Sequence, residues 1–254
     1  MIQINRKAHY REFILGIVGV AVASLACSIG AGSGTATPLP IISPLPTYTP
    51  YPTLPALPTY TPYPTFAASA ALPASYFDDF SDSESGWTQF VVAEGVTDYS
   101  NNTLRIIVNE VEFYRLSHIT KEFSDSSIAV QVVSLDGPDD AEVGVICRYQ
   151  DDDNFYLFSY TADGFYAIAI QTDGDFSLLS GERYMQSNAI LKGNSANQLT
   201  VSCIGDTLSF YINGVKVSEV VDTTFSRGYV GLLAGTFEKD GTAARFDNFT
   251  VFEP

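Results

Sequence analysis

Between Glu142 and Leu179 the chain reads EVGVICRYQDDDNFYLFSYTADGFYAIAIQTDGDFSLL. Short runs of Val, Ile, Tyr and Phe alternate with clusters of Asp, Asn and Gly about every ten residues, the pattern of strands separated by tight turns. β-branched and aromatic side chains suit a pleated, half-buried surface, and Asp-Gly pairs supply the positive φ angles that two-residue hairpins demand. The stretch therefore predicts a meander of antiparallel strands. No helical period interrupts it, so a nucleotide-binding βαβ unit is excluded, and any function must come from a sheet face or from loops.

The same pattern extends over Tyr76–Pro254 and predicts about fourteen strands, lapsing only between Gly181 and Asn197, where a long loop or one helical turn fits better. Evenly spaced strands with turn signals between them predict an all-β fold, an antiparallel β-sandwich of the jelly-roll kind. Three segments follow from composition: 1–27, 28–75 and the 76–254 domain.

In the first segment Arg6, Lys7 and Arg11 precede the uncharged run FILGIVGVAVASLA, which ends at Cys27. A basic start, a short apolar core and small residues before a cleavage point are the marks of an export signal. Ser24-Leu25-Ala26-Cys27 resembles a bacterial lipoprotein signal, in which the cysteine becomes lipidated, although Ser24 stands where that pattern prefers Leu. Plain secretion and an uncleaved anchor are the rival readings. The second segment repeats LPTYTPYPT at Leu45–Thr53 and Leu57–Thr65. Proline fixes φ and removes backbone donors, so a semi-rigid polyproline-like stalk is expected. An envelope-anchored or secreted protein follows, touching membrane only through its N-terminus.

Of the 29 acidic and 13 basic residues, only Glu12 and Arg6, Lys7 and Arg11 lie upstream of Tyr76. So acidic a domain repels phosphate backbones, which excludes nucleic acid as a partner and leaves neutral ligands and cations. Its two cysteines, Cys147 and Cys203, share strand faces with Val143 and Val145 and with Leu199 and Val201. Both point toward an apolar layer, and export permits oxidation, so a disulfide is expected, with two buried thiols as the alternative.

FDDFSDSESGW (Phe77–Trp87), GVICRYQDDDNFYLFSY (Gly144–Tyr160), NQLTVSCIGDTLSFYINGVKV (Asn197–Val217), RGYVGLLAG (Arg227–Gly235) and RFDNFTVF (Arg245–Phe252) follow one another in an order that resembles the concanavalin A-like lectin/glucanase superfamily. The similarity is greatest to its laminin-G-like and 3-keto-disaccharide-hydrolase-like branch. That superfamily hosts enzymes, sugar-binding modules and protein-binding modules, so the resemblance speaks for fold before function. It also implies a structural calcium near the chain ends, for which Asp78, Asp79 and Asp247 are the candidate ligands if the terminal strands pair.

Catalytic patterns are sparse. Glu110 and Glu112 are the nearest approach to the paired carboxylates of a glucanase, but they lack the intervening aspartate and read as turn residues. His118 is the domain's one histidine, and no nucleophile elbow accompanies it. Sugar recognition combines aromatic platforms with planar polar groups. Strand alternation sets Arg105, Arg148, Tyr156, Tyr160 and Tyr211 opposite apolar neighbours, and Trp87 is available to join them. If these gather on the concave sheet they make a carbohydrate surface. The leading expectation is a tethered, non-catalytic module for extracellular glycan; a glycan or 3-keto-disaccharide hydrolase and a protein-binding adhesion or sensory module are the alternatives.

Overall fold

Residues 74–254 are described by the computed structural model, and in them the alternation of apolar runs and turns becomes sixteen strands and no helix. In chain order these are β1 Tyr76–Asp78, β2 Phe90–Val92, β3 Gly95–Tyr99, β4 Leu104–Val108, β5 Tyr114–Phe123, β6 Ser126–Asp136, β7 Glu142–Asp151 and β8 Asn154–Thr161. They continue as β9 Phe165–Thr172, β10 Asp175–Leu178, β11 Met185–Gln186, β12 Asn197–Ile204, β13 Thr207–Ile212, β14 Val215–Val221, β15 Gly228–Gly235 and β16 Thr242–Phe252. The export signal, Cys27 and the proline-rich stalk lie outside the described residues.

All pairings are antiparallel and form two sheets. One runs β14-β13-β12-β6-β16-β4-β3-β2, with β1 beside β16; the other runs β10-β9-β8-β7-β15-β5, with β11 beside β9. Asp173-Gly174 and Asn213-Gly214 both have positive φ at each residue, the conformation that joins β9 to β10 and β13 to β14 in two-residue hairpins. Two short strands escape the sequence pattern. β11 lies in the long loop, and β3 carries Gly95 where a Cβ would sit 2.2 Å from the carbonyl oxygen of Ile107. A residue chosen for its lack of a side chain gives no hydrophobic signal.

The core lies between the sheets. Leu104 and Ile106 of β4, Val130 of β6 and Val201 of β12 meet Val145 of β7 and Phe158 of β8, all fully buried. Cys147 and Cys203 are joined here, one from each sheet, as their shared apolar faces led us to expect. Such a bridge persists in oxidising compartments and fits an extracellular protein.

The second sheet is apolar on its other side as well. Ile146, Phe155, Leu157, Ala169 and Leu233 form a separate cluster with Leu116 and Tyr149, away from the core between the layers. A strand apolar on both faces reads as an unbroken hydrophobic run. FYLFSY and YAIAI are such runs.

Candidate functional site

The outer face of the second sheet places aromatic residues in a ladder. The His118 ring stacks between Tyr149, at 4.6 Å, and Tyr229, at 5.5 Å, and Tyr149 in turn lies 6.0 Å from Phe155. Tyr114 meets Phe155 edge-on at 6.1 Å. The chain order explains the gathering: β5, β15, β7 and β8 are adjacent, and these residues sit on their outward positions. On the same face the Ser159 hydroxyl and both polar atoms of the Gln171 amide have no hydrogen-bond partner among the described residues.

Beside the ladder, at the edge strand β5, is a cavity of about 610 Å³ lined by Thr88, Phe90, Phe113, Tyr114, Arg115, Leu116, Tyr149, Asp152 and Asp153. That volume falls in the range of small-molecule sites, roughly 300–1,000 Å³. One wall is the segment entering β2, held to β5 where Thr88 donates from its backbone N–H and its hydroxyl to the His118 carbonyl, and Ser117 donates to the Thr88 carbonyl. These bonds cap an otherwise open sheet edge. The opposite wall is the β7–β8 turn, pinned by two phenols: Tyr114 donates to the Asp152 carbonyl at 3.0 Å and Tyr149 to the Asp152 carboxylate at 2.8 Å. Burial, with Asp152 second, raises the Tyr149 phenol well above its ordinary range, so it remains a donor at any physiological pH.

The six sugar-contact candidates from the sequence do not come together. Tyr156 and Tyr160 do lie opposite Phe155 and Leu157, but it is the tyrosines that face the core: both are fully buried, Tyr156 donating to Asp222 and Tyr160 accepting from Asn197. Burial lifts both phenols, Tyr156 to about 12. Arg148 was expected to point away from the core and instead turns into it, 2% exposed. Trp87 is buried against Phe80 and Phe249, its indole N–H donating to Asp78. Only Arg105 and Tyr211 reach solvent, and both belong to the other sheet. Arg105 is held bidentately by Asp98, and Tyr211 lies four strand spacings away on β13, about 19 Å at the usual spacing. Glu110 and Glu112 lie in the turn between β4 and β5, not on a strand.

The terminal strands pair as the calcium expectation requires, Asp78 facing Phe249 across β1 and β16. The carboxylates do not fit the ion, however. Asp78 accepts from the Phe80 N–H, the Ser85 hydroxyl, the Trp87 indole and the Tyr76 hydroxyl, which occupies its lone pairs with donors. Asp79 turns to Ser81, and Asp247 accepts from the Asn248 N–H. Among the described residues no group of three His, Cys, Asp or Glu side chains is placed to hold a metal ion. A chelator is expected to leave the melting temperature unchanged, whereas Asp78→Ala strands four donors and costs roughly 2–3 kcal/mol. A melting temperature that falls in chelator would return the calcium reading.

No family model matches the chain, and no curated protein matches it either. Solved structures do. The GH43 protein BlXynB from Bacillus licheniformis superposes with a TM-score of 0.54 at 15% identity, over 70% of this chain and 39% of that one. A Bacillus subtilis protein of unknown function with a galectin-like fold gives 0.52 at 14% identity over 70% and 95%, and the Bacillus licheniformis beta-glucanase gives 0.52 at 10% over 71% and 99%. The fold is an antiparallel β-sandwich of the jelly-roll kind. At these identities the likeness is one of architecture, and the jelly roll's activity must be argued from its own residues.

The residues that line the cavity were largely passed over in the sequence. Tyr114 and Tyr149 carry no motif, and His118, in the ladder beside the cavity, reads as an ordinary surface or half-buried histidine. A signal did exist: the strands Gly144–Tyr149 and Phe155–Tyr160 lack polar alternation, which marks a sheet with two apolar faces.

Proposed function

We propose that this jelly roll is an extracellular carbohydrate-binding module, displayed on the proline-rich stalk with Cys27 as its lipid-bearing residue, and that glycan binds on the outer face of the second sheet. The observation that carries the reading is the 610 Å³ cavity continuous with a ladder of aromatic rings. Pyranose rings offer an apolar C–H face to aromatic side chains and a rim of hydroxyls to polar ones. Tyr149 and Tyr114 supply the rings, while Asp152, Asp153 and Arg115 supply the polar rim. Small-molecule sites combine these same elements, an apolar lining with a few placed polar groups.

Support from the other folds is architectural: two of the superposed proteins are named as a GH43 protein and a beta-glucanase, and a sheet of this kind is their shared scaffold. The test is a glycan array with the full chain, followed by calorimetry on the best binder. Tyr149→Ala is expected to weaken it by about tenfold or more, the usual cost of truncating a buried aromatic anchor. Tyr149→Phe keeps the ring and loses only the Asp152 bond, so it should fall between. Recovery of the ligand uncleaved separates binding from hydrolysis. Full affinity in Tyr149→Ala would remove this face from consideration.

A further inference from the structure

Arg115 enters the cavity from edge strand β5 with its guanidinium 4.6 Å from the Phe113 ring and 5.0 Å from the Phe90 ring. Both rings lie within cation–π distance of it. Its sole hydrogen-bonding partner among the described residues is Glu94, reached by Nη2 at 3.5 Å, and its Nε has none. Asp152 and Asp153 line the same cavity; Asp152 Oδ1 takes the Tyr149 hydroxyl, and Asp153 Oδ1 has no partner among the described residues. One permanent cationic donor thus shares a single cavity with two carboxylates, and one oxygen of Asp153 has no donor among the described residues.

Resting on the carbohydrate reading above, we infer that this cavity selects an uncharged sugar residue with adjacent hydroxyls, and that Arg115, Asp152 and Asp153 determine that selection. A hydroxyl both donates and accepts, so a neighbouring pair on one ring serves the arginine and an aspartate together. The planar guanidinium fork matches two adjacent oxygens better than a lysine ammonium would. A uronate would satisfy Arg115 but add negative charge beside Asp152, Asp153 and Glu94, in a chain of net charge −16. An amino sugar would satisfy the aspartates but meet the arginine. Both charged classes are disfavoured by groups already present, which is how discrimination is commonly built.

The experiment presents the full chain with an array carrying neutral, uronate and amino-sugar glycans, then measures the best neutral binder by calorimetry at low and high salt. Arg115→Lys and Asp153→Asn are compared with wild type, with melting temperatures recorded. Arg115 packs on two rings, so Asp153→Asn, a change of the same size in the half-buried two-residue β7–β8 turn, is the variant that keeps the test independent of folding. Hits confined to the neutral class, affinity nearly constant with salt, and about tenfold weaker binding in each folded variant are expected. Tighter binding of uronate or amino-sugar chains overturns this inference and leaves the carbohydrate reading standing, as does neutral binding indifferent to Asp153→Asn. Silence across all three classes overturns both.

Discussion

Replacing both Cys147 and Cys203 with alanine is expected to lower the melting temperature by roughly 8–16 °C. The bridge closes a loop whose ends are 56 residues apart, and constraining that loop in the unfolded chain is worth about 4 kcal/mol in the chain-entropy account. Each kcal/mol shifts the midpoint of a domain this size by roughly 2–4 °C. The bond also joins strands β7 and β12 of opposite sheets, so its loss removes the covalent tie between the two layers. Both sulfurs are fully buried, and a mild reductant reaches them only when the sandwich opens. The double variant is therefore the cleaner measurement, read by calorimetry or circular dichroism. A midpoint equal to that of the oxidised wild type would show that packing alone holds the layers.

Arg148→Met is expected to be as damaging, at about 3–5 kcal/mol, the usual cost of removing one member of a buried polar network. Arg148 donates from Nη1 to the Phe225 carbonyl and from Nη2 to the Gly205 carbonyl, both at 2.7 Å, with longer bonds to the carbonyls of Cys203 and Ser124. Ser124, Gly205 and Phe225 lie in the β5–β6 and β12–β13 turns and the β14–β15 connection, and Cys203 in β12, so a single side chain ties three connections together beside the disulfide. Methionine fills similar space and leaves those carbonyls without donors. Arg148→Lys is expected to recover little, because one ammonium cannot reach in three directions as the fork does. The ion pair with Asp125 contributes far less: it spans 3.4 Å and the Asp125 side chain is 43% exposed. Asp125→Asn, which keeps the oxygen that accepts the Gly205 N–H, should cost under about 1 kcal/mol. Equal stability of Arg148→Met and wild type would refute this account.

Arg148 also shows why strand parity misplaced it. Alternation from Cys147 sends the next side chain to the outer face, but β7 bulges here: pairing with β8 shifts between Cys147 and Asp151, and Arg148 has φ of 51°. The bulge swings the side chain back inside. Across from it Gly228 leaves the necessary room, since a Cβ there would lie 2.5 Å from the Arg148 backbone. Nothing local to VICRYQ announces the irregularity, because it is set by the partner strand.

Tyr156 and Tyr160 fail for a different reason. Their parity relative to Phe155 and Leu157 was legible, but both sets are aromatic or aliphatic, and a strand apolar on two sides does not say which side meets the other sheet. Asp78 and Trp87 illustrate a third case. They are nine residues apart, and the β1–β2 loop folds the Trp87 indole onto the carboxylate proposed for a metal, one of four donors that occupy it.

The order of strands and turns, and with it the two-layered all-β class, was settled by local chemistry: side-chain period and the positive φ of Asp-Gly and Asn-Gly act between near neighbours. The inward pointing of both cysteines was equally local, since Val, Leu and Cys recur at every second position. Which face of the second sheet became the core, and which arginine became a staple or lined a cavity, depended on strands far apart in sequence meeting as neighbours. Edge strand β5 borders β15, and the β7–β8 turn folds over to reach Tyr114, so the site exists only once those long-range pairings have formed.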